Sequence, residues 1–158
     1  MIRVRAVEPT DRAAVDAFLD ERSTLLVARL GELVDARDYP TLIAEENGRL
    51  AGVLSYIDEG DRWEVLTLHV EERRHGVGSA LIRILESRAR EGGCRLLRLI
   101  TTNDNVDALR FYQRRGFHLA EMHPGAVDES RRFLKSEIPT LGEYGIPIRD
   151  ELELRKEL

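Results

Sequence analysis

The chain has 158 residues, 42% hydrophobic and 34% charged, a size and balance that suit one globular domain around one core. A net charge of −5 argues against a general nucleic-acid binder, because affinity for phosphate comes from accumulated Lys and Arg. A single cysteine, Cys94, excludes an internal disulfide framework, no stretch approaches the ~20 apolar residues that span a bilayer, and the four histidines lack zinc-like spacing. The N-terminal MIRVRAVEPTDR also lacks the apolar run of a signal peptide. The expectation is a cytoplasmic protein with no metal and no nucleic-acid or membrane partner.

IRVRAV (residues 2–7) alternates and reads as a first strand. Pro9, Thr10 and Asp11 form a helix start, and Ala14, Val15, Phe18 and Leu19 share one face of a helix to about Glu21. Residues 23–40, STLLVARLGELVDARDYP, admit either a second helix or a short strand and a loop, closed by Tyr39–Pro40. TLIAEENGRLAGVLSYIDEG holds two apolar runs around Asn47–Gly48, a strong hairpin signal.

RWEVLTLHV (62–70) follows as a strand. Strict alternation puts Glu64, Leu66, Leu68 and Val70 on one face and Trp63, Val65, Thr67 and His69 on the other. From Val77 the period becomes helical, with Val77, Ala80, Leu81, Ile84, Leu85 and Ala89 in one stripe that Gly92–Gly93 ends. CRLLRLITT (94–102) reads as a strand in which Cys94 is a small core or edge residue, against the alternative of a nucleophile. NDN is a turn, VDALRFYQRR a short helix closed by Gly116, and FHLAEM another strand. Beyond His123 the chain is broken by Pro124, Pro139 and Pro147, and RDELELRKEL admits a final strand or helix. Several antiparallel strands followed by a βαβα run indicate a mixed α/β sheet in one domain.

The segment VEERRHGVGSALIRILE (70–86) spends two glycines, Gly76 and Gly78, at a strand-to-helix junction. Glycine costs ~1 kcal/mol per position against alanine inside a helix. The first amides of a helix have no intrahelical partner and sit at the positive end of its dipole, a ready anion site that missing Cβ atoms open to a bulky ligand. Arg73, Arg74 and His75 add positive charge, partly offset by Glu71 and Glu72. The plain alternative is a tight corner with surface arginines. A P-loop would need a lysine that is absent, and a dinucleotide motif would need glycine where Leu81 stands.

RRHGVG, read as Arg73-x-x-Gly76-x-Gly78 after an apolar strand, resembles the acyl-CoA pyrophosphate loop of the GNAT superfamily of N-acetyltransferases. NDNVDALRFYQRRGF (103–117) resembles that family's second signature: an asparagine before a helix, then Phe-Tyr, then Arg-Gly-Phe. The likeness covers roughly residues 2–122, and TTNDN with the tail GIPIRDELEL is similar to a group of small bacterial members. The resemblance implies a single α/β (α+β) domain over residues 1–158. Its mixed, mostly antiparallel sheet has a splayed central parallel strand pair and flanking helices, with residues 123–158 completing the sheet or the acceptor pocket.

It also implies acetyl-CoA as acyl donor, gripped by Arg73, Arg74, His75, Gly76, Val77, Gly78 and Ser79, with the pantetheine arm along Leu68, His69 and Val70. The Leu68 amide would polarise the thioester carbonyl. Tyr112 would protonate the departing thiolate or donate a hydrogen bond to it, against the alternative that it is merely core. Asn105 would hold pantetheine or cap the helix, a duty open equally to Asp104. Glu64, sharing a face with Leu68 and lying ~13 Å upstream by strand rise, is the first candidate for general base and works through water; His69 is the second. The expected reaction is direct acetyl transfer in a ternary complex to a small-molecule or peptide amine, by a monomer or homodimer. A non-catalytic acyl-CoA binder on the same fold and O- or thio-acyl transfer remain as rivals.

Overall fold

The structure, a computed structural model, describes residues 1–73 and 75–158. In chain order its elements are β1 (Ile2–Ala6), α1 (Arg12–Glu21), β2 (Leu26–Arg29), β3 (Glu32–Asp35), β4 (Thr41–Glu46), β5 (Arg49–Asp58), β6 (Arg62–Val70), α2 (Val77–Glu91), β7 (Leu96–Thr102), α3 (Val106–Gln113), β8 (His118–His123), α4 (Ala126–Phe133) and β9 (Glu151–Glu157). The fold is mixed α/β and mostly antiparallel, with one parallel pair, as expected. Two compact units are formed, one from Met1–Leu26, Asp35–Leu97 and Leu158, the other from Val27–Val34 and Arg98–Glu157.

In the first unit β1, β4, β5 and β6 pair antiparallel in that order. The β4–β5 turn is made by Asn47 and Gly48, with φ of 54° and 76°, the two left-handed residues that a tight hairpin demands. At the far side of β6 the amides of Arg95 and Leu96 both donate to Asp61 O, at 2.7 and 3.2 Å. These bonds set the start of β7 beside the start of β6, so the two run parallel. β7 leaves the first unit after Leu97.

The core of this unit is built from Val15, Phe18 and Leu19 of α1, Leu42, Val53, Leu54 and Val65 of the strands, and Leu81 and Leu85 of α2. Helix α2 beds down over Gly52, where a Cβ would stand 2.7 Å from Val77 Cγ1. Its buried face is Val77, Leu81, Ile82, Leu85 and Ala89. The expected stripe is therefore turned by one flank: Ile82 is buried and Ile84 is 36% exposed. The helix ends in a Schellman motif, with Gly93 at φ 80° and Cys94 N donating to Ala89 O at 2.8 Å. Cys94 is buried and donates its thiol proton to Leu96 O, which fits the core role expected of it.

In the second unit β7, β9 and β8 lie in that order, and β8 pairs antiparallel with β9. RDELELRKEL is thus a strand. Residues 26–35 resolve as a hairpin, β2–β3, turning on Leu30 (φ 49°) and Gly31 (φ 76°). A leucine in left-handed conformation is no turn signal in sequence; the fold supports it through Leu30 N, which donates to Glu151 Oε1 at 3.1 Å. Helix α4 was not expected, because only Val127 and Ser130 of its eight residues are buried. Among the described residues no helix is long and apolar enough to cross a membrane.

Candidate functional site

Strand β6 is where strict alternation fails. Its pairing with β5 runs Val53 opposite His69, Leu54 opposite Leu68 and Ser55 opposite Thr67, then jumps to Tyr56 opposite Val65 and Ile57 opposite Glu64. Leu66 is the extra residue of a β-bulge, and a bulge exchanges the faces on either side of it. Ile57, Ser55 and Val53 lie on one face of β5, so Glu64, Thr67 and His69 opposite them do too. Leu68 belongs to the other face. The expected grouping of Glu64 with Leu68, and of His69 away from Glu64, is corrected accordingly.

The Glu64 face is polar inside the first unit. Glu64 is only 1% exposed, and Thr41, Ser55 and Thr67 are buried with it. Thr41 and Ser55 share a hydroxyl hydrogen bond at 3.3 Å, and Ser55 N donates to Thr67 Oγ1 at 3.2 Å. His69 lies farther along this face. Desolvation, reinforced by the nearby Arg22 guanidinium, pulls its pKa down to about 4, so it is neutral and a feeble base near pH 7.

Backbone alternation sorts the same strand by direction. Glu71 N donates to Ala51 O at 2.8 Å, which makes that pair a hydrogen-bonded one. Val53 with His69 is then the next such pair, whereas Leu54 with Leu68 and Gly52 with Val70 are not. His69 spends its backbone groups on β5; those of Leu68 and Val70 point to the opposite edge of β6. An arm pairing with β6 therefore meets Leu68 and Val70, not His69.

After β6 the chain turns into α2. Gly76 has φ 80° and supplies the first helical acceptor, Gly76 O to Ala80 N at 3.0 Å. Its left-handed conformation alone justifies a glycine. Gly78 is different: it lies in the first turn of α2, where helical dihedrals suit any residue. Its helical dihedrals therefore give no conformational reason for a glycine there. Val77 is buried, Gly78 and Ser79 are half-buried, and Arg73, His75 and Gly76 are exposed. Arg74 lies outside the described residues. The acids of this loop have local partners: Glu71 meets Arg22 at 3.1 Å and Glu72 meets His75 Nδ1 at 3.2 Å.

In the second unit the NDN turn leads into α3. Asn105 Oδ1 accepts from Ala108 N at 3.2 Å, so Asn105 is the helix cap. Asp104 is occupied otherwise, accepting from Thr102 Oγ1 at 2.5 Å and Glu143 N at 3.0 Å. Tyr112 is 7% exposed, set edge-on to Phe111 and Phe117 with ring centroids 5.1 and 5.3 Å away. Burial pushes its phenol well above the usual tyrosine range, with Arg115 pulling weakly the other way. The phenol therefore keeps its proton.

Sequence reading missed a group of buried charges in this unit. Glu151 and Glu153 are each 2% exposed, because the E-L-E-L alternation of β9 carries no mark of which face turns inward. Glu153 is held by Arg155 Nε at 2.6 Å and Arg98 Nη1 at 3.4 Å. Glu121, His123 and Glu153 offer ligand atoms within 4.8 Å of one another. Arg155 already bridges both carboxylates of that trio, reaching Glu121 at 2.9 Å, so the charge a cation would need is neutralised from within the chain.

Residues 7–117 match the family model described as the acetyltransferase (GNAT) family. Two proteins of Bacillus subtilis (strain 168) are similar at 42% identity, the uncharacterized YdhI and YxbD. YdhI aligns over 70% of this chain and 69% of its own length, YxbD over 72% and 70%. Among solved structures, an IAA acetyltransferase from Bacillus cereus shares the fold with a TM-score of 0.72 at 22% identity, over 100% of both chains. A GNAT family acetyltransferase from Elizabethkingia anophelis with acetyl-CoA bound has a TM-score of 0.69 at 19% identity, over 99% of this chain and 98% of its own.

Proposed function

This chain belongs to the GNAT family of acetyltransferases, and on that premise we propose that it moves an acetyl group from acetyl-CoA to a primary amine by direct transfer in a ternary complex. The observation that carries the reading is Gly78, a glycine without conformational need in the first turn of a helix that follows β6. The amides around Val77, Gly78 and Ser79 grip the pyrophosphate of the donor, with Arg73, Arg74 and His75 supplying charge. The amide-bearing pantetheine arm pairs with the backbone of Leu68 and Val70. Asn105, whose Oδ1 is committed to the cap, donates to the arm through its side-chain amide.

The acceptor must first lose a proton, since only ~10⁻³ of a lysine-like amine is free base at neutral pH. Glu64 takes that proton through water. The amine nitrogen attacks the thioester carbonyl carbon, and the growing oxyanion accepts a hydrogen bond from the Leu68 amide. As the carbon–sulfur bond breaks, Tyr112 donates to the leaving thiolate. Full transfer from a phenol of even ordinary pKa to a thiolate near 8.5 runs uphill by ~2 kcal/mol, and burial raises that further. A hydrogen bond in the transition state is the contribution Tyr112 makes; coenzyme A departs as the thiolate, and the second proton, which the nitrogen sheds as the carbonyl re-forms, passes to solvent.

The direct test is release of coenzyme A from acetyl-CoA across amino acids, polyamines, aminoglycosides and peptide N-termini. Acetylation of one amine class identifies the acceptor. Binding of coenzyme A with no turnover on any amine would reduce the protein to an acyl-CoA binder.

A further inference from the structure

The segment between α4 and β9 is irregular, yet it is fastened tightly to the turn before α3. Asn103 N donates to Asp150 O at 3.1 Å, and Asn103 Nδ2 donates to Pro147 O at 2.9 Å. Asn103 Oδ1 accepts from the amides of Arg149 and Asp150, both at 3.0 Å. Asp104, 5% exposed, accepts from Glu143 N. One turn on, the Tyr144 hydroxyl donates to the Asp107 carboxylate at 2.8 and 2.9 Å. Gly142 packs so closely that a Cβ there would collide with Asp104 Oδ2 and Ile148. Tyr144 accepts a left-handed backbone, φ 57°, within this arrangement. Non-glycine residues take that conformation when their surroundings hold them to it.

Helix α3 needs such fastening. At eight residues it is too short to hold itself in water, so its direction is set by whatever grips its ends. Its C-terminal end is held by Phe117 N on Tyr112 O and by Arg115 stacked 3.6 Å over Phe111. Its N-terminal end is held by the tail.

We propose that Asn103 and Asp104 are positioning residues: by tying segment 142–150 to the start of α3 they aim the helix that carries Asn105 and Tyr112 at the pantetheine arm of acetyl-CoA. This rests on the roles given to those two residues above. Three consecutive residues thus divide the work, Asn103 and Asp104 gripping the tail and Asn105 capping the helix. The buried acid of the turn acts by orientation, through its hydrogen bonds from Thr102 and Glu143.

The test is calorimetric titration of the full chain with coenzyme A and, separately, with 3′-phospho-ADP, which lacks the arm. Asp104→Ala and Gly142→Ala should weaken coenzyme A about tenfold and leave 3′-phospho-ADP within about twofold, the size of effect that small misplacements bring. Asp104→Asn, which keeps one acceptor oxygen, should fall between. Tyr144→Phe removes one hydroxyl from a side chain 70% exposed, folds as the parent does, and should cost coenzyme A about threefold. Equal weakening of both ligands would mean a purely structural role, and unchanged coenzyme A affinity in Gly142→Ala and Tyr144→Phe would dismiss the tie altogether. Should the unaltered protein bind neither ligand, the acetyl-CoA reading itself fails and this proposal goes with it.

Discussion

Glu64 and His69 share one face of β6 although four residues lie between them, a spacing that strict alternation would put on opposite faces. The bulge at Leu66 makes this possible, and it turns a buried glutamate and a neutral imidazole toward the polar row of Thr41, Ser55 and Thr67. Burial, with the Arg22 guanidinium, has driven His69 to about 4, which leaves it a feeble base near pH 7.

Replacing Glu64 with glutamine should lower turnover by ~10²-fold or more, the usual worth of a positioned base. The rise of kcat/KM with pH should flatten at the same time. A Glu64→Gln enzyme whose pH–rate profile matches the parent would remove Glu64 from the reaction.

In the proposed reaction Tyr112→Phe would delete one hydrogen bond to a developing thiolate, an interaction worth ~1.5–3 kcal/mol, so kcat should drop roughly 10- to 100-fold. Affinity for coenzyme A should stay within about twofold, because the bond forms only as the thiolate does. Parent-like kcat in this variant would return Tyr112 to a purely packing role beside Phe111 and Phe117.

The two loop glycines should part company. Gly78→Ala is expected to raise thermal stability slightly, by up to ~1 kcal/mol of helix propensity, while coenzyme A binding weakens about tenfold. Gly76→Ala should instead destabilise, by ~1–2 kcal/mol, because its φ of 80° excludes a Cβ at no cost only in glycine. Melting curves with and without coenzyme A separate these outcomes; unchanged affinity in Gly78→Ala would leave that glycine unexplained.

His69 makes stability depend on pH. Its folded pKa of about 4 lies below its unfolded value near 6.5, so the unfolded chain binds the extra proton first. Stability from this group is whole above pH 6.5 and drains away as pH falls toward 4, by on the order of 2–3 kcal/mol. Urea unfolding at pH 7 and pH 4.5 should show His69→Gln losing less than the parent across that interval. Equal losses would mean that His69 is charged in the folded protein.

Much of the architecture was legible from local pattern. The Asn47–Gly48 hairpin, the helix beginning at Val77, its glycine stop and the helix after Asn105 all announce themselves within a few residues. The same holds for the paired signatures around Gly76–Gly78 and Phe111–Tyr112, since each is a contiguous run. Parity along β6 was not legible, because one extra residue at Leu66 exchanges faces without altering any residue type. The burial of Glu151 and Glu153 was hidden for a related reason: E-L-E-L reads identically from either face.

Sequence by itself determined which groups this protein possesses and the local turns that carry them, because capping, glycine conformation and helical period act over neighbouring residues. Tertiary structure alone decided which groups face one another. That depends on register between strands, on a bulge that one strand tolerates, and on a tail returning across some forty residues to hold Asn103 and Asp104. Those pairings are long-range, and their free energy belongs to the assembled fold, not to any short stretch of it.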